Sequence, residues 1–197
     1  MRITILGRGP LAEPLAQLAE RAGHTVSWAQ EAATSSGADG APDLVILAGS
    51  VTAVEAMLAN IAPSIAHDVI VVDASIPAED ERRGGGGPAR AGTGWICAAL
   101  PHARIVRAFA SVPAEALATV LTGSTSDQAA RLAVPLAGND REARTIVGRF
   151  MREIGVEPFD LGALRNADVL DPGGELWGKA LNPVEMLEAV GWLSGDG

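Results

Sequence analysis

The chain has 197 residues, of which 48% are hydrophobic, 20% charged and 4% aromatic, with no tyrosine, one cysteine and a formal net charge of −9. This length suffices for a sizeable core without a metal or disulfide staple. Tyrosine-dependent carbonyl chemistry is excluded, a cysteine-rich metal site is excluded, and an acidic chain argues against nucleic acid as a partner.

In chain order, Arg2 to Leu6 is a short β-branched apolar run, followed by the turn Gly7-Arg8-Gly9-Pro10-Leu11-Ala12. Leu11, Leu15 and Leu18 then recur at helical spacing up to the stop signal Gly23. His24 to Trp28 reads as a second strand, and Asp43 to Ala48 as a third, continuous and apolar after Asp43 as a strand covered on both faces should be. A helix is expected over 51–62 and a fourth strand over 68–73. Residues 74–103 read as one long loop, expected to be mobile around Gly84–Gly87 and to close over a ligand. A fifth strand over 104–109, a helix over 113–121, a strand over 130–137 and a capped helix over 141–154 follow. The last strand, 156–161, contains Pro158 and so belongs at a sheet edge. Two short helices, around 163–169 and 183–193, end the pattern.

Strands alternating with helices imply an α/β fold: a doubly wound, Rossmann-like, mostly parallel sheet with helices on both faces. Residues 1–111 are read as the dinucleotide-binding part, and 112–197 as a compact C-terminal lobe continuing the same domain. No apolar run approaches ~20 residues, so no membrane span is expected. The first six residues are too short for the apolar region of a signal peptide, so a soluble cytoplasmic protein is expected.

Strand, Gly7-x-Gly9-x-x-Ala12, then helix is the dinucleotide fingerprint in its proper context. Gly7 is read as making the tight turn, Gly9 as admitting a pyrophosphate to the helix N-terminus, and Ala12 as allowing close helix–strand packing. At the end of the second strand, Gln30 and Glu31 stand where the adenosine ribose would lie. Glu31 would accept from ribose hydroxyls and repel a 2′-phosphate, or it is an ordinary exposed carboxylate. The expectation drawn from it is that NADH binds at least as well as NADPH.

With these motifs the chain resembles the coenzyme F420-dependent NADP oxidoreductases, which pass hydride between NADPH and a deazaflavin. The N-terminal domains of six-transmembrane ferric reductases share the same module. The likeness covers most of the chain. Val71-Val72-Asp73-Ala74-Ser75-Ile76-Pro77 and Ile105-Val106-Arg107-Ala108-Phe109-Ala110-Ser111 are similar to two stretches of that family. More specific is Pro135-Leu136-Ala137-Gly138-Asn139-Asp140, a helix, Gly155, then Pro158-Phe159-Asp160-Leu161-Gly162-Ala163-Leu164. The resemblance implies NAD or NADP as cofactor, with F420 as hydride partner, and a homodimer through the C-terminal helix. Gly7, Arg8, Gly9, Pro10, Leu11, Gln30, Glu31, Gly49, Ser50 and Ala110 would line the cofactor site.

Four departures fall on the ligand-facing ends of strands. Gln30-Glu31 replaces the family's Ser-Arg, Gly49-Ser50 its apolar-Pro, and Ile76 and Ala110 each replace an asparagine. A fold kept while its site is rewritten allows two alternatives. One is a binding or scaffold protein that has lost the redox cofactor; the other is a non-redox biosynthetic enzyme.

For chemistry, Asp73 and Ser75 lie at the carboxyl end of the fourth strand and are the catalytic candidates, although Asp73 would equally cap the loop. Arg107 could steer an anionic substrate, or it is a partly exposed strand residue. His24 is read as structural, and His67 and His102 lie at the N-terminal ends of strands. Three scattered histidines give no metal spacing. The apolar C-terminus (Trp177, Leu181, Met186, Leu187, Val190, Trp192, Leu193) is read either as packed on its own domain or as a dimer seam.

Overall fold

The structure, a computed structural model, describes residues 1–29, 41–65, 67–78, 93–123 and 130–191. Gln30, Glu31, Gly84–Gly87, Trp192 and Leu193 lie outside the described residues.

Seven strands form one sheet: β1 (Arg2–Leu6), β2 (Thr25–Ala29), β3 (Leu44–Leu47), β4 (Ile70–Asp73), β5 (Arg104–Ala108), β6 (Ala133–Gly138) and β7 (Glu157–Asp160). Their order is β2-β1-β3-β4-β5-β6-β7. The first five are parallel, β6 runs antiparallel to β5, and β7 is parallel to β6. The helices are α1 (Ala12–Arg21), α2 (Val51–Ile61), α3 (Gly94–Ala99), α4 (Ala114–Thr122), α5 (Arg141–Glu153) and α6 (Pro183–Gly191). Short 3-10 segments cover Ala62–Ser64 and Leu164–Leu170.

Alternation along the strands divides the core, because successive side chains point to opposite faces. Ile3, Ile5, Ile46, Val72 and Val106 pack with Leu15 and Leu18 of α1 and Val147 and Phe150 of α5. Leu6, Val45, Leu47 and Val71 pack on the other face with Val54 and Leu58 of α2 and Ile96 of α3. Helices therefore cover both faces, which makes the fold Rossmann-like and doubly wound. A third cluster joins Ala133 and Ala137 of β6 to Leu170, Leu176 and Met186.

Asp140 caps α5, accepting from the Ala143 N–H at 2.8 Å, and Gly155 turns the chain out of it with φ +94°. The edge place of β7 suits Pro158, which has no N–H to give a further strand. Two readings need correction. Residues 94–99, expected inside a continuous loop, form α3; six residues are too few to show helical periodicity. The expected helix near 163–169 is a 3-10 segment.

The placement of β1 between β2 and β3 makes the chain reverse direction across the sheet there. Crevices at such switch points, beyond the carboxyl ends of the strands, are where open α/β sheets bind ligands. The glycine turn lies at this point.

Candidate functional site

The turn after β1 is locked onto the end of β3. Gly7 has φ +98°, and a Cβ there would lie 2.9 Å from the Ala48 carbonyl carbon and oxygen. A Cβ on Gly9 would lie 3.0 Å from the Ala48 oxygen and from the Gly49 Cα. The Gly9 N–H donates to the Ala48 carbonyl at 2.8 Å. Gly9 was expected to leave room for a pyrophosphate; the space its missing side chain leaves is instead filled by the backbone of β3.

What remains for an anion is specific. Pro10 has no N–H, and Pro14 removes another from the first turn of α1. The N–H groups of Arg8 and Leu11 have no backbone partner among the described residues. The Leu11 side chain is in the core, while Arg8 and Pro10 are exposed. The Arg8 guanidinium carbon sits 4.2 Å from the centre of the Trp28 ring, near the end of β2.

The ends of β3 and β4 are tied to each other. The Ser50 hydroxyl accepts from the Ala53 N–H at 3.2 Å and so caps α2. Ser50 bridges to Ile76, Ile76 N–H donates to the Gly49 carbonyl at 3.1 Å, and Val51 N–H donates to the Ile76 carbonyl at 3.0 Å. Gly49 is buried, and a Cβ on it would lie 3.1 Å from Val54 Cγ2. Beyond β5, Ala110 is 3% exposed, so little of it faces the crevice. Phe109, just before it, is buried with φ +65°. A bulky residue in the left-handed region stores of order 1–3 kcal/mol of strain, held here by the surrounding core.

Asp73 and Ser75 are brought together, but they point into the fold. Both are 0% exposed. Asp73 Oδ1 accepts from the Ser75 N–H at 3.0 Å and from the Ser75 hydroxyl at 2.5 Å. Its Oδ2 accepts from Arg107 Nη1 at 2.8 Å, and the same nitrogen donates to the Ser75 carbonyl at 2.9 Å. Arg107 Nη2 donates to Asp171 Oδ1 at 2.5 Å. Neither Asp73 nor Ser75 presents an atom to solvent, so the geometry gives them a holding role. Arg107, 2% exposed, is neither a surface strand residue nor a charge free to steer an anion. Its Nε has no hydrogen-bond partner among the described residues.

Both pKa values in this pair are raised, for different reasons. Burial alone would lower the Arg107 pKa, but the carboxylates of Asp73 and Asp171 outweigh it and hold the guanidinium protonated. Burial pushes the Asp171 carboxyl up, and Arg107 reverses this only in part. Two carboxylates share one cation, so the pairing leaves an excess of negative charge. Nothing in local sequence marks Asp171 as the partner of a residue 64 positions earlier.

The histidines lie elsewhere. The His24 side chain is almost buried, with Nδ1 3.3 Å from the N-terminal amine and Nε2 3.3 Å from Glu153 Oε2. That second contact is close enough for charge attraction but is not aligned as a hydrogen bond. Burial, then the N-terminal charge, lowers the His24 pKa, and Glu153 opposes both. His67 and His102 are exposed and stacked, ring centres 4.4 Å apart. Among the described residues no helix is long and apolar enough to cross a membrane, and no three potential ligand side chains cluster as a metal site.

No protein-family model and no curated protein matches the chain. Solved structures do. A hypothetical protein from Sinorhizobium meliloti is 24% identical over 92% of this chain and 95% of its own, with a TM-score of 0.68. A candidate F420-dependent NADP reductase from Arthrobacter sp. FB24 is 20% identical over 97% of this chain and 95% of its own, with a TM-score of 0.66. The 3-hydroxyisobutyrate dehydrogenase of Mycobacterium tuberculosis, 16% identical, aligns with 85% of this chain and 57% of its own (TM-score 0.57). These likenesses establish the fold, a Rossmann-like α/β sheet.

Proposed function

We propose that the chain is an oxidoreductase that binds a pyridine dinucleotide, NAD or NADP, over the carboxyl ends of β1, β3, β4 and β5. The observation that carries this reading is the glycine turn at the switch point, with unpartnered N–H groups on Arg8 and Leu11 at the start of α1. These residues fit an anionic dinucleotide: two free backbone donors and the positive end of a helix meet in one place.

When bound, the nicotinamide cofactor supplies or accepts the hydride. The chain's own residues hold and orient it. The Arg8 and Leu11 N–H groups would hold the pyrophosphate, and Gly7, Gly9 and Gly49 keep the turn and β3 close enough to fix those donors. Asp73, Ser75 and Arg107 are positioning residues that hold the ends of β4 and β5 in register beneath the crevice. The acceptor is F420, a flavin or a small unsaturated substrate. F420 is favoured by the resemblance in sequence and by the fold shared with the Arthrobacter protein. Transfer to a deazaflavin mainly requires two rings to be positioned, so the burial of Asp73 and Ser75 does not oppose it.

Isothermal titration with NADH and NADPH, followed by the oxidation of the bound nucleotide with F420 as acceptor, tests this reading. Binding of neither nucleotide overturns it. A second reading, a scaffold or non-redox enzyme, is favoured by the Gly9 N–H already taken by Ala48 and by the missing donors at Pro10 and Pro14. The homodimer through α6 belongs to the first reading. Leu187 is 61% exposed on that helix, and Leu187→Glu should shift a dimer to monomer in sedimentation.

A further inference from the structure

We propose that Arg8, stacked on Trp28, is the residue that recognises the 2′-phosphate of NADP; this rests on the dinucleotide reading above and adds the choice of nucleotide to it. The Arg8 guanidinium carbon lies 4.2 Å from the indole centre, within cation–π range. This contact with the ring uses none of the guanidinium N–H donors as a hydrogen bond. None of these donors has a hydrogen bond or ion pair among the described residues, although the chain is strongly acidic. Arg8 is exposed, so the donors face solvent.

Those are the properties a phosphate site needs. A guanidinium binds phosphate through its edge, by two parallel charge-assisted bonds. An arginine already fixed against an aromatic ring loses less freedom when it does so. The geometry also separates this cation from the pyrophosphate. The turn that carries Arg8 leads into α1, where the pyrophosphate belongs. Its guanidinium, however, lies on Trp28, which pairs in register with Ile5 one residue before the end of β2. In dinucleotide-binding sheets the adenosine ribose lies at the end of the second strand. The 2′-phosphate is the only cofactor group that NADP places there and NAD lacks. This reverses the preference for NADH drawn from Glu31, which lies outside the described residues.

The test is titration calorimetry of the full chain, its Arg8→Ala variant and its Trp28→Leu variant, each with NADPH, NADH and adenosine 2′,5′-bisphosphate. Circular dichroism melts confirm that each variant is folded. The expected result is at least a tenfold preference for NADPH in the native chain. Arg8→Ala, which keeps the backbone N–H, should bring that preference near unity by weakening NADPH far more than NADH, and adenosine 2′,5′-bisphosphate should lose its binding in parallel. Trp28→Leu should lose part of the preference, because the arginine remains but is no longer held. Should Arg8→Ala weaken NADH and NADPH equally, Arg8 contacts the pyrophosphate and the proposal is wrong, while the dinucleotide reading stands. A native chain that binds both without preference overturns it in the same way. Binding of neither nucleotide overturns the dinucleotide reading itself.

Discussion

Replacing Arg107 with methionine keeps a long side chain in place and removes the only cation in the cluster it forms with Asp73 and Asp171. Asp73 would keep both Ser75 donors on Oδ1 but lose the 2.8 Å bond to Oδ2. Asp171 would lose its bond on Oδ1, and the Ser75 carbonyl its donor. Two buried carboxylates would be left without compensation. Breaking a buried pair by removing one partner costs about 3–5 kcal/mol. The upper part of that range is expected here, since Asp73 has no exposure to regain water. In a chain of this size ~1 kcal/mol moves the melting temperature by about 2–4 °C, so about 4–5 kcal/mol corresponds to a fall of roughly 8–20 °C. Urea unfolding followed by circular dichroism measures the loss directly. Adding Asp171→Asn to Arg107→Met should recover part of it, giving a coupling of about 0.5–3 kcal/mol in the double-mutant cycle. An Arg107→Met chain within ~1 kcal/mol of the native one, with no coupling to Asp171, would refute the reasoning.

Three further outcomes follow from the same geometry. Gly9→Ala should destabilise by about 1–3 kcal/mol through overpacking against Ala48 and Gly49, and Gly7→Ala by more, since its φ of +98° adds strain to a 2.9 Å contact; equal urea midpoints for the two variants and the native chain would contradict this. Folded Asp171 holds its proton to higher pH than the unfolded chain does, so its contribution to stability is complete below about 3.8 and is lost as pH rises through its raised folded value. Melting curves across that window should show Asp171→Asn gaining on the native chain as pH increases, and a constant difference would count against it. For His24 the sense is opposite: its folded pKa is lowered, so stability falls as pH drops from 6.5 through the folded value, and His24→Gln should flatten that part of the melting-temperature profile.

Much of the fold was legible in the sequence. The runs of β3 and β4 are apolar at every position but Asp73, and both strands are indeed buried throughout, because helices cover both faces of the sheet. The glycine turn was legible in its position and in the sharp bend at Gly7. The role of Gly9 was not, since the motif does not say what approaches the glycine, and here it is the β3 backbone. Arg107 departs from its sequence reading for a related reason. A charge in a strand suggests a solvent face, but β5 is buried from Ile105 to Ala108, and the compensating Asp171 is far away in sequence. Phe109 offers no signal at all, because aromatic residues seldom adopt positive φ. The stacking of Arg8 on Trp28 joins two motifs read separately, and only their closeness in space makes them one feature.

The bond between Arg107 and Asp171 bears on where this chain can be divided. A cut after Val112 would leave five parallel strands that look like a complete nucleotide-binding unit. It would also strip β6 from β5, exposing a strand edge ready to pair with other chains. Gly178, whose N–H donates to the Ser111 carbonyl at 2.7 Å, would be lost as well. Arg107 would remain with Asp73 alone, in a site opened to water on the side Asp171 had closed. Fusions, permutations and fragment-complementation designs should therefore keep residues 104–111 and 171–178 on the same piece, or supply both pieces together.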